Sequence, residues 1–417
     1  MSGRETTQDA FQRDEIAHLR CGWIAPEDLD NATPEDPENL QHRPGTQSFI
    51  ANARFFHAIH PFWYFFKFNA NQSHFDVVPF DVRDKSEKLF QAAKGASVLV
   101  WPTIDGDLGG GFSDPEQRQR AVATLRDTLQ DQKRRSDHIS QLLKVFDDQR
   151  IAGIDLDYEG LDDGDRSLFT SFVTDLANAV RARNKLISVT VKAVVNLPNL
   201  SNTSLYDYKS LLDPNSAGVD ALHVMTYDLH TGAGHAGPAC PLWFLKSVMD
   251  HAAEAAPQAP PGRPHLERFL FGMANYGTIF DTDPHIVTDP SDPCAPGNFG
   301  LPSSKKESQV TLTEAMSRCA AGTISDVDSH DPKCPFHSSL CGWSLQGDAG
   351  CQPNGKGASD PNWLILIYFE SIGSLRQRVD CAVKRGFGVT YWYLGNELPK
   401  FFTDVFDITR QPTDCPP

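Results

Sequence analysis

Nowhere in its 417 residues does the chain run through eighteen apolar residues in succession, so no membrane-spanning helix is expected. The opening residues Met1-Ser-Gly-Arg-Glu-Thr-Thr-Gln-Asp-Ala10 lack the apolar core of a secretory leader, and no such signal is visible in the sequence. Positive charge is scarce. Lys and Arg number 38 against 54 Asp and Glu, a net charge of −16. Nucleic acids and anionic membranes favour basic patches, so neither is an expected partner; a neutral polymer is compatible with this charge. Phosphate loops are missing as well. Asp105-Gly-Asp-Leu-Gly-Gly-Gly-Phe112 has neither G-x-G-x-x-G opening a helix nor Walker A spacing, and it reads as a flexible loop over a cleft.

What is present can build a large core. Hydrophobic residues make up 40 % of the chain, and 417 residues suffice for one large barrel or two ordinary domains. The nine cysteines are an odd number, which leaves at least one free or intermolecular thiol. Cys294, Cys319, Cys334, Cys341 and Cys351 share one Gly/Pro/Ser-rich stretch, as in a loop insertion stapled by disulfides. That reading suggests an extracellular or cell-envelope protein; with no leader visible, a cytoplasmic location stays open. A zinc site from His330, Cys334, His337, Cys341 and Cys351 is the alternative, but Cys-x-x-His-x-x-x-Cys matches no standard finger and no metal is expected.

Residues 1–17 read as a polar arm and 26–48 as a loop. Short apolar runs then alternate with helical periodicity. The strand candidates are 19–25, 55–66, 96–104, 151–157, 186–194, 218–228, 268–276 and 386–393. Between them, helical spacing occurs at 87–94, 115–149, 166–183, 204–212, 243–255, 312–320 and 372–385. Eight strands alternating with helices predict a parallel (β/α)8 barrel over 18–400, with a cysteine-rich insertion at 278–362 between strands 7 and 8 and a tail at 401–417.

One stretch organises the rest: Arg150-Ile-Ala-Gly-Ile-Asp-Leu-Asp-Tyr-Glu-Gly-Leu161. In a strand, side chains alternate between faces, so Asp155, Asp157 and Glu159 share one face while Leu156 and Tyr158 share the other. Apart from Arg150 the segment offers these acids no local basic partner. Crowding and partial burial should therefore make one of them hold its proton to unusually high pH, which is how a carboxyl becomes a general acid.

The segment resembles the D-x-x-D-x-D-x-E signature of glycoside hydrolase family 18, the chitinase and N-acetylglucosaminidase family, with Asp155, Asp157 and Glu159 as its last three acids. Ala152 stands where the family usually has a first, mainly structural Asp. Met225-Thr-Tyr-Asp228 resembles the family's M-x-Y-D, and Tyr276-Gly its Y-G. Trp392 stands where the family has a Trp flooring the sugar site. Pro61-Phe-Trp-Tyr64, Gly237-Pro-Ala-Cys-Pro-Leu-Trp243 and Tyr391-Trp-Tyr-Leu-Gly395 resemble the bacterial cell-wall and spore-cortex glucosaminidase branch.

The resemblance implies a retaining hydrolase for β-1,4 bonds next to N-acetylglucosamine, in chitin-type oligosaccharide or peptidoglycan. Its nucleophile would be the substrate's own acetamido group. Glu159 would be the acid and base. Asp157 would orient the acetamido group, Asp155 would share a proton with Asp157, and the Tyr227 hydroxyl would fix the acetamido carbonyl. Asp228, Met225, Tyr276, Trp392 and Trp63 would line the sugar site. No cofactor is needed, and a monomer is expected. A chitinase-like lectin on the same barrel is the alternative; such relatives typically lose the acid, which here is present as Glu159.

Overall fold

In the computed structural model, residues 19–25, 45–69, 74–79, 87–108, 114–195, 204–229, 233–236, 239–259, 263–264, 266–282, 301–311, 339–344, 364–370, 372–395, 397–398, 400–407, 412–413 and 415 are described. Runs rich in β-branched and aromatic residues form eight parallel strands. These are β1 (Arg20–Ile24), β2 (Ala58–Asn69), β3 (Thr103–Asp107), β4 (Gly153–Glu159), β5 (Leu186–Lys192), β6 (Ala221–Met225), β7 (Phe269–Ala274) and β8 (Gly388–Trp392). Each strand pairs with the next, and β8 pairs with β1. The sheet is therefore closed, as a (β/α)8 barrel requires.

Helices α1 (Gly45–Asn52), α2 (Glu87–Ala96), α3 (Pro115–Gln130), α4 (Gln132–Leu142), α5 (Arg166–Arg181), α6 (Tyr208–Leu212), α7 (Leu242–Ala255), α8 (Ile372–Lys384) and α9 (Phe401–Asp404) lie along the chain between and after the strands. Asp114 caps α3 by accepting from the Glu116 amide, and Pro115 occupies its first turn, where no amide is needed. On α5 the buried side chains Phe169, Phe172, Val173, Leu176, Ala177 and Val180 form one stripe. Each of its large side chains contributes about 2 kcal/mol on burial. Phe172 stacks on Tyr158 at 5.7 Å, and the Tyr158 hydroxyl lies 2.9 Å from His138 Nε2 on α4. Leu156 and Tyr158 thus face the helices, which leaves the acids of β4 for the barrel interior.

The insertion is more regular than a stapled loop. Residues 276–282, 301–311, 339–344 and 364–369 form an antiparallel sheet after β7, and 233–236, from the loop after β6, joins its edge. The helix expected at 312–320 and four of the five clustered cysteines lie outside the described residues; Cys341 is in the strand Ser339–Ser344. The disulfide seen is elsewhere. Cys381 of α8 is bonded to Cys415, and Thr413 beside it donates to Asp380 through its amide (3.0 Å) and its hydroxyl (2.8 Å). Phe401 stacks on Tyr391 of β8 at 4.3 Å, so the chain after β8 packs back on the barrel. Where the insertion returns, Glu370 pairs with Arg378 at 2.9 Å, and both are almost fully buried. Arg378 also donates to the carbonyls of Cys240 and Ser374, the extra bonds that so dry a pair requires. Among the described residues no helix is long and apolar enough to cross a membrane.

Candidate active site

The row of acids on β4 meets a second row. Asp155, Asp157 and Glu159 sit in register with Thr103, Asp105 and Asp107 of β3. Paired strands run about 4.8 Å apart, so these carboxyls are close neighbours. The innermost acid, Asp155, is fully buried and held by four donors. Ser188 donates to Oδ1 at 2.6 Å; Thr103 and Thr190 donate to Oδ2 at 3.0 Å, and Trp23 Nε1 to the same oxygen at 3.4 Å. Such a cage holds the carboxyl in one fixed orientation.

Asp157 is treated differently. It is 8 % exposed, and its Oδ1 has no hydrogen-bond partner among the described residues. Burial first, then the charges of Glu159, Asp105, Asp155 and Asp107, hold its carboxyl well above the ordinary range. Glu159, at the end of the strand, is 25 % exposed at the barrel mouth, and Lys192 Nζ lies 3.1 Å from its Oε2.

An aromatic wall faces the acids. Trp392, at the end of β8, stacks along Tyr227 (centroids 6.3 Å apart, planes 15° apart) and contacts Phe62 at 5.3 Å and Trp23 at 5.6 Å. Gly272 makes room for the Tyr227 ring, because a Cβ there would come within 2.7 Å of its Cε1. Burial, then Asp157, Asp228, Glu159 and Asp155, push the Tyr227 phenol well above its ordinary value, so it remains a donor. Asp228 has left-handed backbone (φ +55°), and its carboxylate accepts from the Tyr276 hydroxyl at 2.5 Å. Beneath this layer His60 and His223 meet edge to face at 4.3 Å, both fully buried and pushed toward the neutral form by burial.

A graded row of acids at the C-terminal ends of barrel strands, beside a Trp–Tyr wall, suits work on a sugar ring. The sequence profile of glycosyl hydrolases family 18 matches residues 85–397. The chain belongs to glycosyl hydrolase family 18. Membership carries a glycoside hydrolase fold. YdhD of Bacillus subtilis (strain 168), named as a candidate sporulation-specific glycosylase, is 23 % identical over 177 residues, which is 42 % of this chain and 37 % of that protein. In structure this family 18 chain is similar to a chitinase from Chromobacterium violaceum ATCC 12472 (17 % identity, TM-score 0.64, 93 % of this chain and 98 % of that one). It is also similar to the spore cortex-lytic enzyme SleL of Bacillus megaterium QM B1551 (15 % identity, TM-score 0.62, 94 % and 74 % covered). At these identities the likeness is one of fold.

Of the residues singled out from the sequence, Asp155, Asp157, Glu159, Tyr227, Asp228, Tyr276 and Trp392 gather in this cleft. Met225 ends β6 in register with Lys192. Trp63 needs correcting. It is 4 % exposed and packs against Phe90 of α2 at 5.4 Å, outside the barrel wall. Side chains alternate along β2, and Phe62 takes the inward place beside Trp392. Asp105, Asp107, the hydroxyls around Asp155, and Lys192 were not anticipated. Asp105-x-Asp107 repeats the alternation of the β4 acids directly after an apolar run, and that signal was available.

Asp105 can be tested by pH. Burial is the main cause that pushes its carboxyl from 3.8 to about 6. A carboxyl raised on folding supplies stability that is whole below its unfolded value and is lost as pH rises through its folded value. Asp105→Asn removes that loss. The variant should match the wild type near pH 4 and exceed it by about 2 kcal/mol at pH 7, read from urea unfolding. A stability difference that stays flat across this window would refute the assignment.

Proposed function

We propose that the protein hydrolyses β-1,4 bonds next to N-acetylglucosamine, with retention of configuration and with the substrate's acetamido group as nucleophile. The observation that carries this reading is the division of labour along β4: a caged Asp155, a buried Asp157 with one oxygen free, and a partly exposed Glu159 at the mouth.

In the first step Glu159 gives its proton to the glycosidic oxygen as the bond from C1 to that oxygen breaks. The acetamido carbonyl oxygen bonds to C1 from the opposite face and forms an oxazolinium ion. Asp157 holds the acetamido N–H and offsets the growing positive charge, which favours its ionised form at that moment. Asp155 stays fixed behind it and biases where the shared proton rests. The Tyr227 hydroxyl, kept as a donor, sets the carbonyl's line of approach. In the second step water attacks C1, Glu159 takes its proton, and the oxazolinium reopens to the acetamido sugar. Trp392 floors the ring undergoing attack, and the Asp228–Tyr276 pair lines the same wall.

Chitin-type oligosaccharide and peptidoglycan glycan both contain the required bond. The Cys381–Cys415 disulfide supports an extracellular or cell-envelope location. The test is incubation with chitooligosaccharides and with purified peptidoglycan, read by mass spectrometry, and by proton NMR for the anomer first released. The β-anomer is expected. Release of the α-anomer would rule out retention. Binding without cleavage would make the protein a carbohydrate-binding relative on the same barrel.

A further inference from the structure

The hydrolysis described above gives no role to a basic side chain that stands among the acids of the cleft. Asp105, Asp107, Asp155, Asp157 and Glu159 crowd two adjacent strands. Lys192, the last residue of β5, places Nζ 3.1 Å from Glu159 Oε2 while its side chain remains 59 % exposed. An exposed ammonium on a flexible stem is a weak structural tether, since solvent-facing pairs contribute at most about 1 kcal/mol. Its position is specific all the same, because the carboxyl it touches is the one that must meet the leaving oxygen.

We propose that Lys192 reads a carboxylate carried on O3 of the leaving sugar, so that the preferred bond is the one between N-acetylglucosamine and a 3-O-lactyl sugar, the repeat of peptidoglycan glycan. This rests on the hydrolase reading given above and narrows its substrate. In a β-1,4 linkage the leaving oxygen is O4 of the departing sugar, and O3 is on the adjacent carbon. A general acid works within about 3 Å of the oxygen it protonates. An ammonium bonded to that acid therefore lies about 6 Å or less from O4, within reach of a lactyl carboxylate extending from O3. No comparable group exists on the neutral sugars of chitin.

The same geometry makes the contact more than an attraction. In the unliganded protein Lys192 occupies the carboxyl that has to carry the proton. A substrate carboxylate that draws the ammonium to itself leaves Glu159 free to meet the glycosidic oxygen. Without Lys192, an anionic glycan would enter a cleft of like charge.

The experiment compares kcat/KM for the tetrasaccharide of alternating N-acetylglucosamine and N-acetylmuramic acid with that for chitotetraose. The wild type is expected to prefer the lactylated substrate by about tenfold or more, roughly what one charge-assisted contact provides, and to cleave on the reducing side of N-acetylglucosamine. Lys192→Met should pull the ratio toward one, and Lys192→Arg should retain most of it. The wild type should also lose its preference when the lactyl carboxyl is reduced to an alcohol, a probe that requires no variant to fold. Equal rates on the two tetrasaccharides, or a ratio unmoved by Lys192→Met, overturn the assignment of Lys192 while the hydrolase reading stands. Cleavage of neither substrate overturns both.

Discussion

Glu159→Gln should lower kcat/KM on an oligosaccharide by about 10³-fold, because the leaving sugar oxygen then departs without a proton. Glutamine keeps the shape and much of the hydrogen bonding of the side chain, so binding should survive. Leaving-group chemistry sharpens the test. A 4-methylumbelliferyl glycoside releases a phenolate that needs little protonation, so kcat/KM on that substrate should fall far less. The contrast between the two substrates assigns the proton donor, which a simple loss of activity would not. Oligosaccharide hydrolysis that survives the substitution unchanged would remove Glu159 from the reaction.

Asp157→Asn is expected to separate activity from stability. The amide can still accept the acetamido N–H, but it cannot offset a positive charge, and kcat should drop by about 10²- to 10³-fold. Folding should respond the other way. Burial and the surrounding acids hold the Asp157 carboxyl well above its ordinary range. The sign follows from that direction: a raised carboxyl gives stability at low pH that is lost as pH climbs through its folded value, so the neutral amide gains on the wild type at pH 7. A variant that is more stable yet far slower marks a side chain kept for chemistry at the expense of the fold. Chemical denaturation beside steady-state kinetics measures both. A variant that loses stability at neutral pH would contradict the electrostatic account of the site.

Local patterns carried the fold and the main acids into view. The alternation of Asp155, Leu156, Asp157, Tyr158 and Glu159 needs only strand geometry to put three acids on one face, and the barrel followed from eight apolar runs separated by helices. The family motif did the rest for Tyr227, Asp228, Tyr276 and Trp392. What stayed hidden depends on register between strands distant in sequence. Thr103, Ser188 and Thr190 are ordinary strand residues until β3 and β5 are laid beside β4 and their hydroxyls converge on Asp155. Lys192 belongs to the same class. Asp105 and Asp107 were missed for a local reason: Gly106 between them and the glycines after Leu108 read as loop. The structure explains Gly106, since a Cβ there would come within 2.9 Å of the Tyr158 ring. Trp63 was misplaced because an aromatic run does not reveal which of its members faces inward. Ala152, where the family's first Asp would stand, is held by its backbone alone; its amide donates to Val100 and its carbonyl accepts from Leu186.

The antiparallel sheet that follows β7 is joined to the candidate site at both of its entry points. Residues 233–236 reach it directly from the loop that carries Tyr227 and Asp228, and its first strand begins with Tyr276, whose hydroxyl holds Asp228. Swapping this module for a relative's would thus exchange a residue of the candidate site, Tyr276, along with the sheet. Chimeras cut at 276 and 369 would have to import a matching partner for Asp228, and grafting a sheet without one leaves that carboxylate without the Tyr276 hydroxyl.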